Sequence, residues 1–157
     1  MPLMRKRGAR TGIGLVVLLL STGILGATSS CHREEGQQLE KPLEAFCTSY
    51  FNWRFQQAVP YCTDASQRWL RYAASQVNSS DVERLRAQQE GATFTLGDIS
   101  YNEGGDSAWV EVTVNNFLQM DTLGKAAQPM DEAHYQVPMV RQKGQWRVTL
   151  SGLLRQR

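Results

Sequence analysis

The pattern of hydrophobic and polar positions divides the chain into three parts. Residues 12–27 form one uncharged apolar run, and from about residue 39 to residue 91 apolar side chains recur at intervals of three and four. After residue 91 the interval falls to two. Intervals of three and four place side chains on one face of a helix, whereas alternation is typical of a half-buried strand. The pattern therefore predicts helices and then strands, behind an apolar N-terminal segment.

The first helical pattern begins close to Pro42 and ends before Pro60. Proline fits the first turn of a helix, where its missing N–H is not needed, and it breaks a helix further along. We therefore place Pro42 at the first helical position and the end of the helical region by about Val59. The apolar residues of this helix face are Leu39, Leu43, Phe46, Cys47, Tyr50 and Trp53.

Capping signals predict two further helices. Thr63 or Asp64 can begin the second helix, and the segment 80–83 has the spacing of a capping box that begins the third. Gly91 suits the position just after a helix end, so we expect the third helix to stop there. The apolar residues of the second helix are Ala65, Trp69, Tyr72, Ala73 and Val77.

Four strands are predicted after residue 91. The segment 102–106 reads as a turn between the first two strands, and residues 119–132 read as a loop before the third. Lys143 and Gly144 form a two-residue hairpin turn before the fourth. Helices followed by antiparallel strands define an α+β domain. The predicted strands cover residues 92–101, 108–117, 133–142 and 145–153.

Alternation also assigns faces within the predicted sheet. Val110, Val112 and Val114 share one face of the second strand, and Trp109 falls on the other. In the last strand Trp146 begins an alternating apolar set, so we expect Trp146 to be buried against the first helix. A bulge or bend is expected at Gly97-Asp98 in the first strand.

The N-terminal segment has the features of a signal peptide. A basic stretch at residues 5–10 precedes the apolar run, whose 16 residues are too few for the roughly 20 that a spanning helix needs. The small residues before Cys31 resemble the lipobox of bacterial lipoproteins, and this resemblance implies cleavage before Cys31 and lipid on its thiol. Two alternatives remain: an uncleaved anchor, or cleavage near Ala27 that releases a soluble protein.

These boundaries predict a lipoprotein signal peptide over residues 1–30, a polar tether over 31–38 and an α+β domain over 39–157. Two or more acyl chains on Cys31 would hold the protein stably on a membrane. We therefore expect a bacterial cell-envelope location, at the outer membrane.

Charge argues against nucleic acid as a partner. The chain of 157 residues carries a net charge of +2, but four of its 17 basic residues and no acid lie in the first 30. The remaining chain has 13 basic against 15 acidic residues, and a slightly acidic domain lacks the positive surface that binds phosphates.

Three stretches carry a resemblance to a known fold family. They are an aromatic helix running into a new cap at residues 42–66, an alternating strand after a glycine-rich turn at 105–114, and a hairpin at 137–150. The chain resembles the nuclear-transport-factor-2-like superfamily, in which a curved sheet encloses helices in a cone, and particularly small bacterial lipoproteins within it. The resemblance implies a fold and a location, but the superfamily contains both enzymes and binding modules, so it implies no activity.

Candidate catalytic groups are few. His134 lies in a strand and could act as a base, but no Asp partner stands at a diagnostic spacing. Asp98 and Tyr101 lie near a strand end, as a base and a donor might, but a bend at Asp98 and a strand aromatic at Tyr101 explain them better. We therefore assign no catalytic, cofactor-binding or metal-binding residue and expect no cofactor.

An aromatic set could line an apolar pocket or form plain core, and core is the more common role. We expect a non-catalytic binding module for a protein or a small apolar ligand; the alternative is a cavity enzyme such as an isomerase, dehydratase or hydrolase. The set consists of Phe46, Tyr50, Phe51, Trp53, Phe55, Trp69 and Tyr72.

Cys47 and Cys62 could form a disulfide, because export brings thiols into an oxidising compartment. A straight helix from Cys47 to residue 59 would separate the two thiols too far, so the bond requires a bend near residues 52–54. The alternative is a pair of buried free cysteines that act as small apolar residues.

Overall fold

The computed structural model describes residues 28–120 and 125–157, and the side chains from residue 36 onward within the first range. The predicted signal peptide, residues 1–30, lies almost wholly outside the described residues. Helices come first and an antiparallel sheet follows, as the α+β prediction required. None of the described helices is both long enough and apolar enough to cross a bilayer.

The first helix, α1, spans Thr28–Phe51 and is longer than predicted. Pro42 lies inside α1, so its placement at the first helical position was wrong. The segment before Pro42 is rich in Glu, Gln, Leu and Lys, which favour helix strongly enough to tolerate one missing backbone hydrogen bond. The backbone of the predicted tether, residues 31–38, is therefore helical.

A sharp bend follows α1, at the place where a disulfide would require one. Trp53 has φ +59°, in the left-handed region, and its N–H donates to the Tyr50 carbonyl at 3.0 Å. The short helix α2 (Phe55–Ala58) then leads into a 3-10 turn at Val59–Tyr61. The bend divides the predicted first helical region into two pieces.

Two more helices precede the sheet. Helix α3 spans Gln67–Gln76 after a 3-10 turn at Asp64–Ser66, and helix α4 spans Ser79–Ala87. The capping box of α4 joins Asn78 to Asp81, not Ser80 to Glu83. The predicted helix stop at Gly91 was also wrong, because α4 ends four residues earlier.

Gly91 serves a different purpose. A Cβ at Gly91 would lie 2.4 Å from the Asn52 side-chain oxygen. That oxygen accepts the Ala92 N–H at 2.9 Å, and the same amide donates to the Ala92 carbonyl at 3.2 Å. Asn52 thereby joins the end of α1 to the start of the sheet, and the absence of a side chain at residue 91 allows this close approach.

Four strands form an antiparallel meander in the order β1-β2-β3-β4. A register irregularity between Leu96 and Ile99 confirms the bulge predicted at Gly97-Asp98. Strand β3 begins five residues earlier than predicted, within the predicted loop. The strands span Thr93–Tyr101, Ser107–Gln119, Gln128–Gln142 and Gln145–Val148.

Strand β4 is shorter than predicted because the backbone after Val148 forms a hydrogen bond to a side chain outside the sheet. After Val148, the Leu150 N–H bonds the buried Ser66 Oγ at 2.7 Å instead of a strand. The Val148 carbonyl accepts the Thr63 N–H at 2.9 Å, so the segment before α3 covers the edge of β4.

The predicted strand faces are confirmed. Val110, Val112 and Val114 are buried against the helices, while Trp109 on the outer face is 49% exposed. Trp146 is buried and its ring lies 5.9 Å from that of Tyr101, centroid to centroid. Together with Leu43 and Phe46 of α1, the inner sheet face forms one hydrophobic core.

Candidate functional site

An apolar cavity, which we call the inner cavity, lies between the bend after α1 and the inner face of the sheet. Its volume is about 60 Å³. A water molecule occupies about 30 Å³ of liquid, whereas pockets for small molecules measure about 300–1,000 Å³. The cavity as described therefore holds about two waters. The residues that line it include Tyr50, Phe51, Phe55, Phe117, Tyr135 and Leu154.

The polar groups at this cavity are already hydrogen-bonded within the chain. The Tyr50 hydroxyl accepts the Leu154 N–H at 3.3 Å, and Trp53 Nε1 donates to the Leu118 carbonyl at 2.9 Å. Burial raises the pKa of Tyr50, against the opposing effect of the Leu154 hydrogen bond, and burial also raises the pKa of Tyr135. Both phenols are therefore neutral at physiological pH.

The C-terminal segment after β4 closes one side of the cavity. Leu153 and Leu154 line it, and the backbone of Gln156 bridges that of Tyr135. Beyond the cavity, the Arg157 N–H donates to the His134 carbonyl at 3.0 Å, and its guanidinium pairs with Glu111 at 2.6 Å. These bonds hold the C-terminal segment against strands β2 and β3.

The candidate histidine lies away from the cavity. The His134 side chain is 64% exposed on the outer face of the sheet, where Nδ1 is 3.0 Å from Thr113 Oγ1 and Nε2 is 3.5 Å from Glu132. Asp98 is exposed at the bulge of β1, and Tyr101 packs on Trp146. The structure does not bring these three candidates together.

The predicted aromatic set divides between cavity and core. Tyr50, Phe51, Trp53 and Phe55 line the cavity, and Phe46 stacks on Tyr50 with ring centroids 5.1 Å apart. Trp69 and Tyr72, in contrast, form an edge-to-face pair on α3 and do not line the cavity. Within the predicted set, the aromatic part of the cavity wall thus comes from α1 and the residues just after it, and α3 contributes only Ala73.

Cys47 and Cys62 are both buried free thiols. The structure thus has the second of the two arrangements considered, without the disulfide, although the required bend is present. Burial raises the pKa of both thiols, that of Cys62 to about 12 against the opposing charge of Arg147. Both thiols are therefore protonated at physiological pH.

No group of three or more His, Cys, Asp or Glu residues that could hold a metal ion occurs among residues 28–120 and 125–157. The backbone of Cys31 belongs to α1, and the Cys31 side chain is not among those that the structure describes. The predicted lipid attachment therefore stays a prediction.

A second, larger cleft lies where α1 meets the hairpin of β4, and the sequence analysis did not identify it. It measures about 620 Å³. Lys41 and Arg147 contribute cationic side chains, and Trp146 forms part of its wall. Because its residues come from three distant segments of the chain, no local spacing could have indicated it.

Trp146 also carries an unusual polar atom. Its indole Nε1 is buried and has no hydrogen-bond partner among the described residues, and the same holds for Nε1 of Trp69. A buried donor without a partner costs about 1–3 kcal/mol. Sequence gives no signal for such an atom, because the lack of a partner depends on every neighbour.

The fold has counterparts among solved structures. A protein of unknown function from Mycobacterium tuberculosis aligns with a TM-score of 0.50 at 15% identity, over 86% of this chain and 78% of that one. A nuclear-transport-factor-2-like protein from Streptomyces avermitilis, for which dehydratase activity has been proposed, aligns at 0.45 and 14% identity over 74% and 93%. Another from Campylobacter jejuni, proposed as a transpeptidase, aligns at 0.42 and 13% identity over 71% and 97%.

At these identities the comparisons show a likeness of fold alone, an α+β arrangement like the one described above. Two of the three counterparts carry the nuclear-transport-factor-2-like name that the sequence resemblance predicted. The chain matches no family model and no curated protein sequence.

Proposed function

We propose that this protein is a lipid-anchored binding module of the bacterial cell envelope. The support for the anchor is the order of the N-terminal features: a basic stretch, an uncharged run of 16 residues, small residues and then Cys31. A lipid on Cys31 would place the domain at a membrane surface through α1.

The observation that supports a non-catalytic role is the state of the inner cavity. It is about 60 Å³, its walls are mainly aromatic, and the hydroxyl of Tyr50 and the indole N–H of Trp53 are already bonded to the backbone. General acid–base catalysis needs a titratable group within reach of substrate and with a pKa near the working pH. Neutral, buried phenols do not meet this requirement, so the arrangement supports a non-catalytic role. A cleft large enough for a ligand lies elsewhere, where α1 meets the β4 hairpin.

Metabolic labelling tests the anchor. We expect wild-type protein to incorporate radiolabelled palmitate and to fractionate with membranes, and Cys31→Ser to lose the label. Cys47→Ser is the matched control and keeps the label, because Cys47 is buried in α1. Label retained by Cys31→Ser, or absent from wild type, would contradict the proposal.

A further inference from the structure

The cleft between α1 and the β4 hairpin combines cations with an apolar wall. Lys41 and Arg147 line it together with Pro42, Pro60, Tyr61 and Trp146. Among the residues whose side chains the structure describes, no acidic one lines the cleft. Its volume of about 620 Å³ falls within the range of small-molecule sites, about 300–1,000 Å³.

The surface next to the cleft also carries more positive than negative side chains. An adjoining depression shares Arg147 and adds Lys143 and one carboxylate, Asp64. The side-chain amide of Gln67 donates to Asp64 at 3.2 Å. Arg147 is held in place by two hydrogen bonds, to the Pro60 carbonyl at 2.7 Å and to Gln145 at 3.0 Å. Lys41 is exposed and has no ion-pair partner among the described residues.

The unpartnered indole N–H is the second, independent observation. Trp146 is only 3% exposed and lines this cleft, and its Nε1 lacks an acceptor within the described chain. An anionic oxygen would supply that acceptor, and hydrogen bonds to charged groups are stronger than those between neutral groups. Because Trp146 Nε1 is itself covered, an anion can reach it only if the side chains around the indole ring shift on binding. Gln38 and Gln145, which also line the cleft, are exposed.

We propose that this cleft binds an anionic amphiphile, whose carboxylate or phosphate lies among Lys41, Arg147 and the Trp146 N–H while its aliphatic part packs on Pro42, Pro60 and Tyr61. This inference develops the binding role proposed above by naming a site and a ligand class. It does not depend on lipidation of Cys31. It places the ligand outside the inner cavity, whose volume is about ten times smaller than that of the cleft.

The source of the anion is either a free amphiphile or a lipid headgroup in the membrane. Lys41 lies ten residues after Cys31, about 15 Å along α1 at ~1.5 Å per residue. A lipid-anchored chain would therefore hold the cleft within reach of the headgroup layer.

Indole N–H NMR of the full chain tests the proposal directly. The 15N-labelled protein in phosphatidylcholine nanodiscs has four indole signals, one for each of its four tryptophans, and Trp146→Phe assigns the relevant one. We expect decanoate to move the Trp146 signal downfield and to slow its hydrogen exchange. The signals of Trp69, which has the same unpartnered N–H outside the cleft, and of Trp53 should stay unchanged. Decyltrimethylammonium, with the same chain and the opposite charge, should leave all four in place.

Substitution of the cation supplies the affinity test. We expect Lys41→Met to raise the decanoate Kd about tenfold, because it removes a charge-assisted contact. Lys125→Met, at an exposed site far along the chain, should leave the Kd unchanged. Nanodiscs containing phosphatidylglycerol should move the Trp146 signal without decanoate if the membrane supplies the headgroup, and should leave it in place if the ligand is a free amphiphile.

Three results would overturn the proposal. One is an unmoved Trp146 signal with both decanoate and phosphatidylglycerol. Another is an equal response to decyltrimethylammonium, and the third is an unchanged Kd in Lys41→Met. Wild-type protein that takes up no palmitate label but still binds decanoate would refute the anchor alone, so the two proposals fail separately.

Discussion

At the scale of single residues, Trp109 in β2 and Trp146 in β4 show how strand alternation separates surface from core. Trp146 is 3% exposed and Trp109 is 49% exposed. We expect Trp146→Ala to lower the free energy of unfolding by about 3–5 kcal/mol, as for other large buried aromatic residues. Trp109→Ala should lower it by less than about 1 kcal/mol. Urea denaturation of both variants measures the difference, and similar values for the two would contradict the assignment of faces.

Periodicity was sufficient to predict these burials, but not the backbone at Trp53. Its left-handed conformation is uncommon for a bulky residue and costs about 1–3 kcal/mol. The hydrogen bond from Trp53 Nε1 to the Leu118 carbonyl, 65 residues away, helps to hold it. A local pattern carries no information about a partner at that distance.

At the scale of elements, helix α4 depends on one buried carboxylate. Asp81 accepts the Asn78 N–H at 3.0 Å in the capping box and the Ala127 N–H at 2.8 Å from the chain before β3. We expect Asp81→Ala to lower the free energy of unfolding by about 2–4 kcal/mol, because the cap is lost and a buried N–H is left unpaired. Glu83→Ala, on the exposed side of α4, serves as the control in urea denaturation and should change it by under about 0.5 kcal/mol. Equal effects would show that the capping box contributes little.

In the β3–β4 hairpin, one substitution is expected to raise the free energy of unfolding. Lys143 and Gly144 both have positive φ, 51° and 77°, as a type I′ turn requires. Asparagine tolerates this conformation better than lysine does. We therefore expect Lys143→Asn to raise the free energy of unfolding by about 0.5–1 kcal/mol. Thermal unfolding should show a higher Tm for this variant and a lower one for Gly144→Ala, and a lower Tm in both would exclude this account.

Element order and most strand bounds followed from the sequence, but helix ends did not. Pro42 is an acceptable first-turn residue and also a tolerable interior one when good helix formers precede it, so its position alone could not decide. Asn78 and Ser80 are both good caps, and only the contact of Asp81 with Ala127 selects Asn78. A tertiary contact therefore decided the second case, and the residues before Pro42 decided the first.

At the scale of the whole molecule, the two buried thiols link stability to pH. Burial raises the pKa of Cys47, and that of Cys62 to about 12, whereas thiols in the unfolded chain ionise near ~8.5. Their contribution is complete below ~8.5 and is lost as the pH rises toward the folded-state values. We expect the free energy of unfolding to fall by about 1.4 kcal/mol per pH unit for each thiol over this range.

Urea denaturation under reducing conditions between pH 7.5 and 10 measures this slope. Cys62→Ala should remove about half of it, because one ionising thiol then remains. A curve that is flat above pH 8.5 would mean that the thiols are bonded or accessible in the folded protein. Titration of thiols in the unfolded, unreduced chain then distinguishes these two cases.

The candidate sites are formed by segments that lie far apart in the sequence, and for that reason the sequence predicted them only in part. The aromatic wall of the cavity follows from helical spacing in α1. Its closure by Leu153 and Leu154, and the cleft around Lys41 and Arg147, depend on segments about 100 residues apart that only the folded chain brings together.

The hydrogen bonds that join the helical half to the segment around β4 also constrain how the chain folds. Tyr50 and Leu154 are 104 residues apart, Pro60 and Arg147 are 87 apart, and Ser66 and Leu150 are 84 apart. Loops of this length lose entropy before their contacts form, and proteins dominated by such contacts fold in milliseconds to seconds. We expect stopped-flow refolding in that range, and a microsecond phase that recovers the full signal would contradict it. Neither part can complete its core alone, because one hydrophobic cluster spans both. Fragments that end at residue 120 and begin at residue 125 should therefore each be unfolded in isolation, with no stable subdomain.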